Sequence, residues 1–319
     1  MTNGTIVGFG EILMRLSAAN GTIADSTGFD ACYGGTEANV LACLSAFGHK
    51  TRYLTALPDG SLGDAAAKTL ERYGIDVSRI KRGGDTLGMY FSEDGGGSRG
   101  ANVLYYRKHS EFTRLGPGAF DVGKVSAGVK LFHISGISFA LSDSSRALAF
   151  GLMRAARARG ITVSFDFNYR KKLWDIDMAR PILAEAAGLA DVLLASDLDL
   201  ETFLNATREG FFEKFPACEY LFLRNRTIES ADRHAVSVDA FSRGGESFAL
   251  PKTEFAVTEK IGGGDAFDGG ILHGLLAGMS LKETVRFGAA AFIKKHSVRG
   301  DIFDGGEAEV KRLLDSGVV

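Results

Sequence analysis

Short apolar segments alternate along the chain with longer segments of helical periodicity. Residues 6–9 form the first apolar run, and in 37–47 the residues Val40, Leu41, Leu44 and Phe47 share one helical face before Gly48. Further predicted strands cover 51–57, 130–134, 161–165, 192–195 and 220–224, and further predicted helices cover 64–73, 144–159, 179–187, 266–276 and 281–295. This alternation predicts an α/β protein in which helices cover a parallel sheet.

Two stretches interrupt the alternation. Residues 11–33 and 88–108 carry β-prone residues of mixed polarity with no helical segment between them. They predict a small sheet that projects from the main body and serves as a lid, although ordinary edge hairpins would have the same pattern. The run 94–98 is typical of a flexible hairpin tip. A length of 319 residues fits one α/β domain over 1–319.

The composition excludes several classes of protein. Hydrophobic residues make up 45% and charged residues 24% of the chain, and the net charge is -2, so no dedicated nucleic-acid binder is expected. The three cysteines, Cys32, Cys43 and Cys218, form no CxxC pair, which argues against a zinc site or a disulfide framework. No secretion signal and no membrane-spanning run is recognisable, so we expect a cytoplasmic protein without a membrane partner.

Two kinds of glycine-rich phosphate-binding loop can be excluded from the sequence. The chain has no GxxxxGK[ST] pattern, which argues against a Walker-type NTPase. The one formal GxGxxG, at Gly95, Gly97 and Gly100, precedes a strand-like run instead of a helix. A dinucleotide fingerprint must open a helix, so a nucleotide-dependent oxidoreductase is not expected.

A third glycine cluster precedes a predicted helix. Gly262, Gly263 and Gly264 can bring successive main-chain N–H groups close to an anion, and the start of a helix adds unpaired donors. Asp265 follows in the first turn, where its carboxylate could accept a proton from a substrate hydroxyl. From these residues alone, an N-cap after a flexible turn explains the pattern equally well.

Residues 262–267 resemble the G-x-G-D signature of the ribokinase-like (PfkB) carbohydrate kinases. The Gly-Gly-x-x-x-Asn signature of that family is matched by Gly34, Gly35 and Asn39, in the expected order. Within the family the chain is most similar to the 2-keto-3-deoxygluconate kinases, through segments 10–16, 33–40, 166–174, 295–296 and 300–301. The resemblance implies a three-layer α/β/α sandwich with a mostly parallel central sheet and a small β-sheet lid. It also implies ATP-dependent phosphorylation of a primary sugar hydroxyl.

The resemblance assigns roles to individual residues. Asp265 would be the catalytic base, and the amides of Gly262, Gly263 and Gly264 the anion hole. The substrate-binding positions would be Gly34, Gly35, Thr36, Asn39, Tyr90, Tyr105, Arg107, Asn168, Arg170 and Asp301. A sugar acid carries a carboxylate, which arginine suits in fork geometry; taken singly, Arg107 and Arg170 could also be solvated surface charges.

The same resemblance implies ATP and Mg²⁺ as cofactors. The nucleotide-binding positions would be Ser196, Arg224, Lys260, Gly262, Gly264 and Ala289, with Asp199 holding the metal through water. The chain departs from the family at Glu259 and Lys260, where Asp-Thr or Asp-Arg is usual, which leaves potassium activation open. Lys294, Lys295 and His296 end a predicted helix, where cations suit the dipole.

Three further expectations complete the interpretation. The lids of this family can pair between subunits, so a homodimer or higher homo-oligomer is plausible. A neutral-sugar kinase such as a fructokinase is the alternative within the class, since a neutral sugar would not need the two arginines. The family usually has Asn-x-x-Glu where this chain has Ser196 and Asp199. This departure and the one at 259–260 also fit a non-catalytic sugar-binding regulator with the same fold.

Overall fold

The computed structural model describes residues 4–19, 22–93 and 102–319. The formal GxGxxG and the predicted hairpin tip at 94–98 lie outside these residues. Within them the strands, in chain order, are β1 (Thr5–Phe9), β2 (Leu13–Ala18), β3 (Phe29–Gly34), β4 (Lys50–Leu54), β5 (Ala56–Leu57), β6 (Ile75–Asp76), β7 (Lys81–Arg82), β8 (Met89–Glu93), β9 (Asn102–Tyr106), β10 (Val129–Ser135), β11 (Thr162–Asp166), β12 (Val192–Ala195), β13 (Tyr220–Ile228), β14 (Arg233–Ser242) and β15 (Ser247–Ala256).

Nine strands form the main sheet, in the order β15-β14-β13-β12-β11-β10-β1-β4-β6. All neighbours from β13 to β6 pair in parallel, whereas β14 and β15 add an antiparallel hairpin at one edge. The predicted mostly parallel sheet is confirmed. β5 and β7 form a separate parallel pair.

Helices cover both faces of the main sheet. They are α1 (Thr36–Ala46), α2 (Ser61–Arg72), α3 (Val122–Ser126), α4 (Gly136–Ala140), α5 (Asp143–Arg157), α6 (Ile176–Ala187), α7 (Asp197–Asp199), α8 (Phe211–Lys214), α9 (Gly263–Ala277), α10 (Leu281–His296) and α11 (Glu307–Asp315), with a 3-10 turn at Glu111–Arg114 and a π-helical turn at Leu200–Leu204.

Successive residues of β1 point to opposite faces and divide the core in two. Val7 and Phe9 pack with α4, α5 and α6, whereas Ile6 packs with α1, α2, α9 and α10. The layers are therefore helix, sheet and helix, which confirms the predicted three-layer architecture.

The hairpin of β14 and β15 is the main element that sequence patterns did not predict. β15 alternates few apolar residues with polar ones and contains Pro251, which is tolerated at the outer edge of a sheet because it cannot donate a ladder hydrogen bond. The same pattern is common in loops. The hairpin also extends β13 to Ile228, beyond the predicted end at 224.

A second sheet is built from the two stretches that interrupt the alternation. Its four strands have the order β3-β2-β8-β9, with β2 and β8 parallel in the centre. Along β9, Val103 and Tyr105 face a large cavity, whereas Leu104 and Tyr106 are exposed on the opposite face. The sheet thus covers that cavity on one side, and its role as a lid stays a prediction.

No helix in the described ranges is long and apolar enough to cross a membrane.

Candidate active site

A cavity of about 470 Å³ lies at the carboxyl ends of β11 and β12, beside the start of α9 and under the second sheet. Ligands of open parallel sheets bind at this edge, where strands end and helices begin. Its lining includes every predicted site residue except Ala289. Ala289 is fully buried in α10, so the structure does not bring this predicted nucleotide contact to the cavity.

The glycine turn presents its amides to the cavity. Within the described residues, the N–H groups of Gly262, Gly263 and Gly264 donate to no acceptor. The first hydrogen bond of the helix is donated by the N–H of Ala266 to the carbonyl of Gly262. A Cβ on Gly262 (φ 80°) would collide with the carbonyl oxygen of Asp301, and one on Gly263 with the ring of His296. The tight turn therefore requires glycine and leaves the amides available to an anion.

Asp265 stands in the first turn of α9, with only 9% of its surface exposed. Its Oδ2 accepts a 2.6 Å hydrogen bond from Asn39 Nδ2. Burial raises the pKa of Asp265 to about 6, although the Asn39 hydrogen bond and the nearby charges of Arg170 and Arg224 favour the ionised form. A carboxylate that titrates close to neutral pH suits a general base.

Two further buried carboxyls lie near Asp265. Asp166, at the end of β11, and Asp268, one turn after Asp265, are hydrogen-bonded to each other, and burial raises the pKa of both. Two carboxyls this close favour sharing a proton over carrying two charges. Arg224 and Asp265 also act on this pair, so the site has more acid groups than the sequence motifs indicated.

Four cationic side chains line the cavity. The guanidinium of Arg224 lies between the rings of Phe267 and Phe292, 5.4 and 5.3 Å from their centroids. Arg170, Arg226 and Lys260 also line the cavity, and within the described ranges none of the four is within ion-pair distance of a carboxylate. This cluster of positive charge fits a polyphosphate.

Arg226 was missed by the sequence interpretation because it lies outside both signature motifs, 34–39 and 262–267. Partial burial lowers the pKa of Arg226, and the like charges of Arg224 and Arg170 lower it further. Mutual repulsion of this kind is relieved when an anion binds.

The two arginines predicted to bind the substrate differ in burial and in their partners. Arg107 is buried and donates to the carboxylate of Glu11 (Nε to Oε2, 2.7 Å), which Ser110 also contacts. Arg170 is exposed and has no such partner in the described part of the chain. Tyr90 and Tyr105 of the second sheet lie 6.0 Å apart between ring centroids, over the same region.

Asn168 is the one predicted substrate residue with strained backbone. It has a positive φ of 38°, and its Nδ2 donates to Thr36 Oγ1 at 3.2 Å. Asparagine tolerates this left-handed conformation better than most residues. The contact joins the loop after β11 to the start of α1, at the Gly34–Gly35 turn.

Asp301 links the second sheet to the glycine turn. Its Oδ1 lies 2.9 Å from Arg15 Nε in an ion pair, and its Oδ2 accepts a hydrogen bond from Tyr90 Oη (2.8 Å). Arg15 Nη2 also lies 3.1 Å from Glu259 Oε2, and Glu259 Oε1 accepts the amides of Lys260 and Ile261 just before the anion hole. Arg15 was missed because its partners Glu259 and Asp301 lie more than 200 positions further along the chain.

Asp199, the predicted metal residue, uses one carboxylate oxygen in hydrogen bonds to Ser196. Asp199 Oδ2 accepts from the amide and the hydroxyl of Ser196, at 2.8 and 2.6 Å, as the N3 residue of a capping box. Burial raises the pKa of Asp199. No group of three or more His, Cys, Asp or Glu side chains suited to a metal occurs in the described ranges. One free carboxylate oxygen fits Mg²⁺ held mainly by water and phosphate.

α10 ends at the predicted residues Lys294, Lys295 and His296. Lys295 and His296 are fully buried there. Burial lowers the pKa of His296 to about 4, so the ring is neutral, and its Nδ1 bonds the carbonyl of Phe292 at 2.8 Å. His296 therefore adds no positive charge to the helix end, contrary to the prediction of a cation at this position.

Comparisons with known proteins agree with this geometry. The family described as pfkB family carbohydrate kinase matches residues 4–302. A 2-dehydro-3-deoxygalactonokinase of Haloferax volcanii is 30% identical, over 98% of this chain and 97% of its own. The crystal structure of a 2-dehydro-3-deoxygluconokinase from Thermotoga maritima superposes with a TM-score of 0.93 at 32% identity, covering 98% of both chains.

A third similarity concerns the fold alone. A ribokinase II structure from E. coli, solved with ATP and Mg²⁺, has a TM-score of 0.83 at 20% identity, covering 98% of this chain and 99% of its own. Together with the cavity at the strand ends, the unbonded glycine amides and the adjacent carboxylate, these similarities identify the class. The chain belongs to the pfkB family of carbohydrate kinases, phosphotransferases that act on a sugar hydroxyl.

Proposed function

We propose that the chain is an ATP-dependent kinase that phosphorylates the primary hydroxyl of 2-keto-3-deoxygluconate. The observation that carries the proposal is the placement of Asp265 beside three unbonded glycine amides in a cavity that also contains Arg170. The names of the two relatives above support a ketodeoxy sugar acid, and they differ in the gluco or galacto epimer.

Asp265 acts as the base of the transfer. Its carboxylate takes the proton of the attacking sugar hydroxyl as the new O–P bond forms and the bond from phosphorus to the ADP oxygen breaks. Asn39 holds the carboxylate by a 2.6 Å hydrogen bond and thus fixes its orientation. The amides of Gly262 to Gly264 donate to the phosphoryl oxygens, where negative charge increases in the transition state.

The donor phosphates bind along the cationic side of the cavity. Arg224 is held rigidly between two phenylalanine rings, and Arg226 and Lys260 lie nearby without carboxylate partners in the described ranges. A fold neighbour binds ATP and Mg²⁺. Mg²⁺ would be held by Asp199 through water and by the phosphates, and it would neutralise charge on the transferring group.

The carboxylate of the sugar acid is recognised by Arg170. This guanidinium is free of ion pairs within the described residues, whereas the charge of Arg107 is already balanced by Glu11. Arg107 then positions Glu11 and the wall of the cavity. A neutral sugar would leave Arg170 without a partner, which argues against a fructokinase.

The second sheet closes over the bound sugar and excludes water, the competing phosphoryl acceptor. Its outer face carries Phe29, Leu104 and Tyr106, which are 36, 46 and 58% exposed. We propose that two chains pair through this face in a homodimer, because apolar patches of this kind commonly mark an interface. Sedimentation of the wild type and of Leu104→Glu tests it: a dimer that the variant converts to monomer supports the pairing, and a monomeric wild type contradicts it.

A phosphorylation screen tests the substrate. Purified protein, ATP and Mg²⁺ are incubated with 2-keto-3-deoxygluconate, its galacto epimer, fructose, ribose or a nucleoside, and the product is identified by ³¹P NMR. We expect the highest kcat/KM for the ketodeoxy acids and a phosphate ester on the primary carbon. Preference for fructose or ribose would contradict the substrate, and absence of ADP release with every acceptor would favour a non-catalytic binder.

A further inference from the structure

Lys295 is a fully buried lysine directly behind the anion hole. Its side chain has 0% exposure, and a Cβ placed on Gly262 would lie 3.0 Å from its Cε. No carboxylate of the described residues is within ion-pair distance of its Nζ. A lysine in such a place is costly unless its protons are bonded, so its retention in the fold calls for a role.

Two main-chain carbonyls hold the ammonium group. Nζ donates to Val298 O at 3.0 Å and to Gly300 O at 2.7 Å. Neutral carbonyl oxygens at such distances are also how proteins bind small inorganic cations. The ammonium therefore satisfies two carbonyl oxygens of a type that can also bind an inorganic cation.

The loop held by Lys295, residues 298–301, packs against the glycine turn at 262–264. Glu259 Oε2 accepts the amide of Gly300 at 3.3 Å, so Gly300 is fixed from both sides, by Glu259 at its N–H and by Lys295 at its carbonyl. The next residue, Asp301, packs its carbonyl against Gly262. Any shift of this loop would move the first glycine of the anion hole.

We infer that Lys295 is a positioning residue whose ammonium group serves as a built-in cation for the anion hole, so that turnover needs no added monovalent cation. The inference answers the question of potassium that the sequence left open. It rests on the proposed kinase reaction, but not on which sugar is the acceptor. Removing the ammonium frees two carbonyls that an external cation can bind instead.

The first measurement compares cations in the wild type. Initial rates are taken in N-methylglucamine, sodium, potassium or ammonium chloride at equal ionic strength, with ADP quantified by chromatography so that no coupling enzyme adds a cation requirement. We expect rates equal within about twofold, since the ammonium of Lys295 already bonds the carbonyls of Val298 and Gly300. A strong dependence of the wild type on potassium would overturn the inference.

The second measurement uses Lys295→Ala, with Lys294→Ala as the matched control one position away on α10. We expect kcat of Lys295→Ala to fall roughly tenfold or more, with ammonium, ethylammonium or potassium restoring part of it and KM for the sugar nearly unchanged. A folded Lys295→Ala with normal kcat, or with a loss that no cation restores, would contradict the role. If this variant does not fold, the wild-type cation series decides.

The two proposals fail in different ways. If ketodeoxy acids are not phosphorylated, the proposed substrate is wrong, and the cation series is repeated with the sugar that the screen identifies.

Discussion

Asn39 Nδ2 donates a 2.6 Å hydrogen bond to Asp265 Oδ2, joining residues 226 positions apart. The Oδ1 of the same side chain accepts the amide of Gly35 at 3.3 Å. The asparagine of the N-terminal motif thus ties the Gly34–Gly35 turn to the carboxylate of the C-terminal motif. Its contacts indicate that it orients the base, in addition to any contact with sugar.

The Asn39 contact predicts the pH dependence. Asp265 must be ionised to accept a proton, so kcat/KM of the wild type should fall below pH about 6, the value set by burial. The hydrogen bond favours the charged form, and Asn39→Ala should therefore move this acid limb to higher pH and lower kcat roughly tenfold. A pH–rate profile checks both points, and a limb at unchanged pH would show that Asn39 does not act on the base.

Arg170 is expected to select for a charged acceptor. Arg170→Ala should raise KM for the ketodeoxy acid roughly 10–100-fold, since a hydrogen bond to a charged group is lost, with little change in KM for ATP. Steady-state kinetics with both substrates measures the difference, and the exposed neighbour Lys171→Ala serves as the control. Equal effects on both KM values would favour a neutral sugar.

Arg226 is expected to act on the donor side. Arg226→Ala should raise KM for ATP roughly tenfold and leave KM for the sugar unchanged, because the cationic cluster loses one phosphate contact. Arg233→Ala is a matched control on the neighbouring strand, where the arginine only pairs with Glu254 at 3.6 Å on the surface. If the two variants have the same KM for ATP, Arg226 has no phosphate role.

Arg15 should matter for stability as well as geometry. Arg15→Met leaves Glu259 and Asp301 without their buried cation, and we expect the free energy of unfolding to drop by about 3–5 kcal/mol. Urea denaturation measures this. Arg154→Met, which breaks a half-exposed pair with Glu185, should cost about 1 kcal/mol or less. Similar losses in both variants would mean that the buried network adds nothing.

The fold could be predicted because the spacing of apolar residues along the chain indicates which faces of the sheet are buried. The strand–helix alternation predicted the parallel strands β1, β4, β10, β11, β12 and β13 but missed the short β6, and the interruptions at 11–33 and 88–108 predicted the second sheet. The β14–β15 hairpin was missed because an edge strand needs few apolar residues and tolerates Pro251. The single domain and the lid movement stay predictions.

The site could be predicted where short motifs place backbone and acid groups together. The glycine turn, Asp265 and the Gly34–Gly35 turn follow from local sequence and resemblance, and the structure brings them to one cavity. Arg15, Lys295 and Arg226 could not be found in this way, because their roles depend on contacts across the fold. Arg15 meets Glu259 across 244 positions, a separation that no local pattern reports.

The most direct measurement of the central claim is kcat of Asp265→Asn. The amide keeps the size of the side chain but cannot accept the hydroxyl proton, so we predict a loss of roughly 10²–10⁴-fold with an unchanged circular dichroism spectrum. Asp177→Asn, on the exposed surface of α6, should retain full activity. Turnover of a folded Asp265→Asn within a few-fold of the wild type would contradict the assignment of Asp265 as the base.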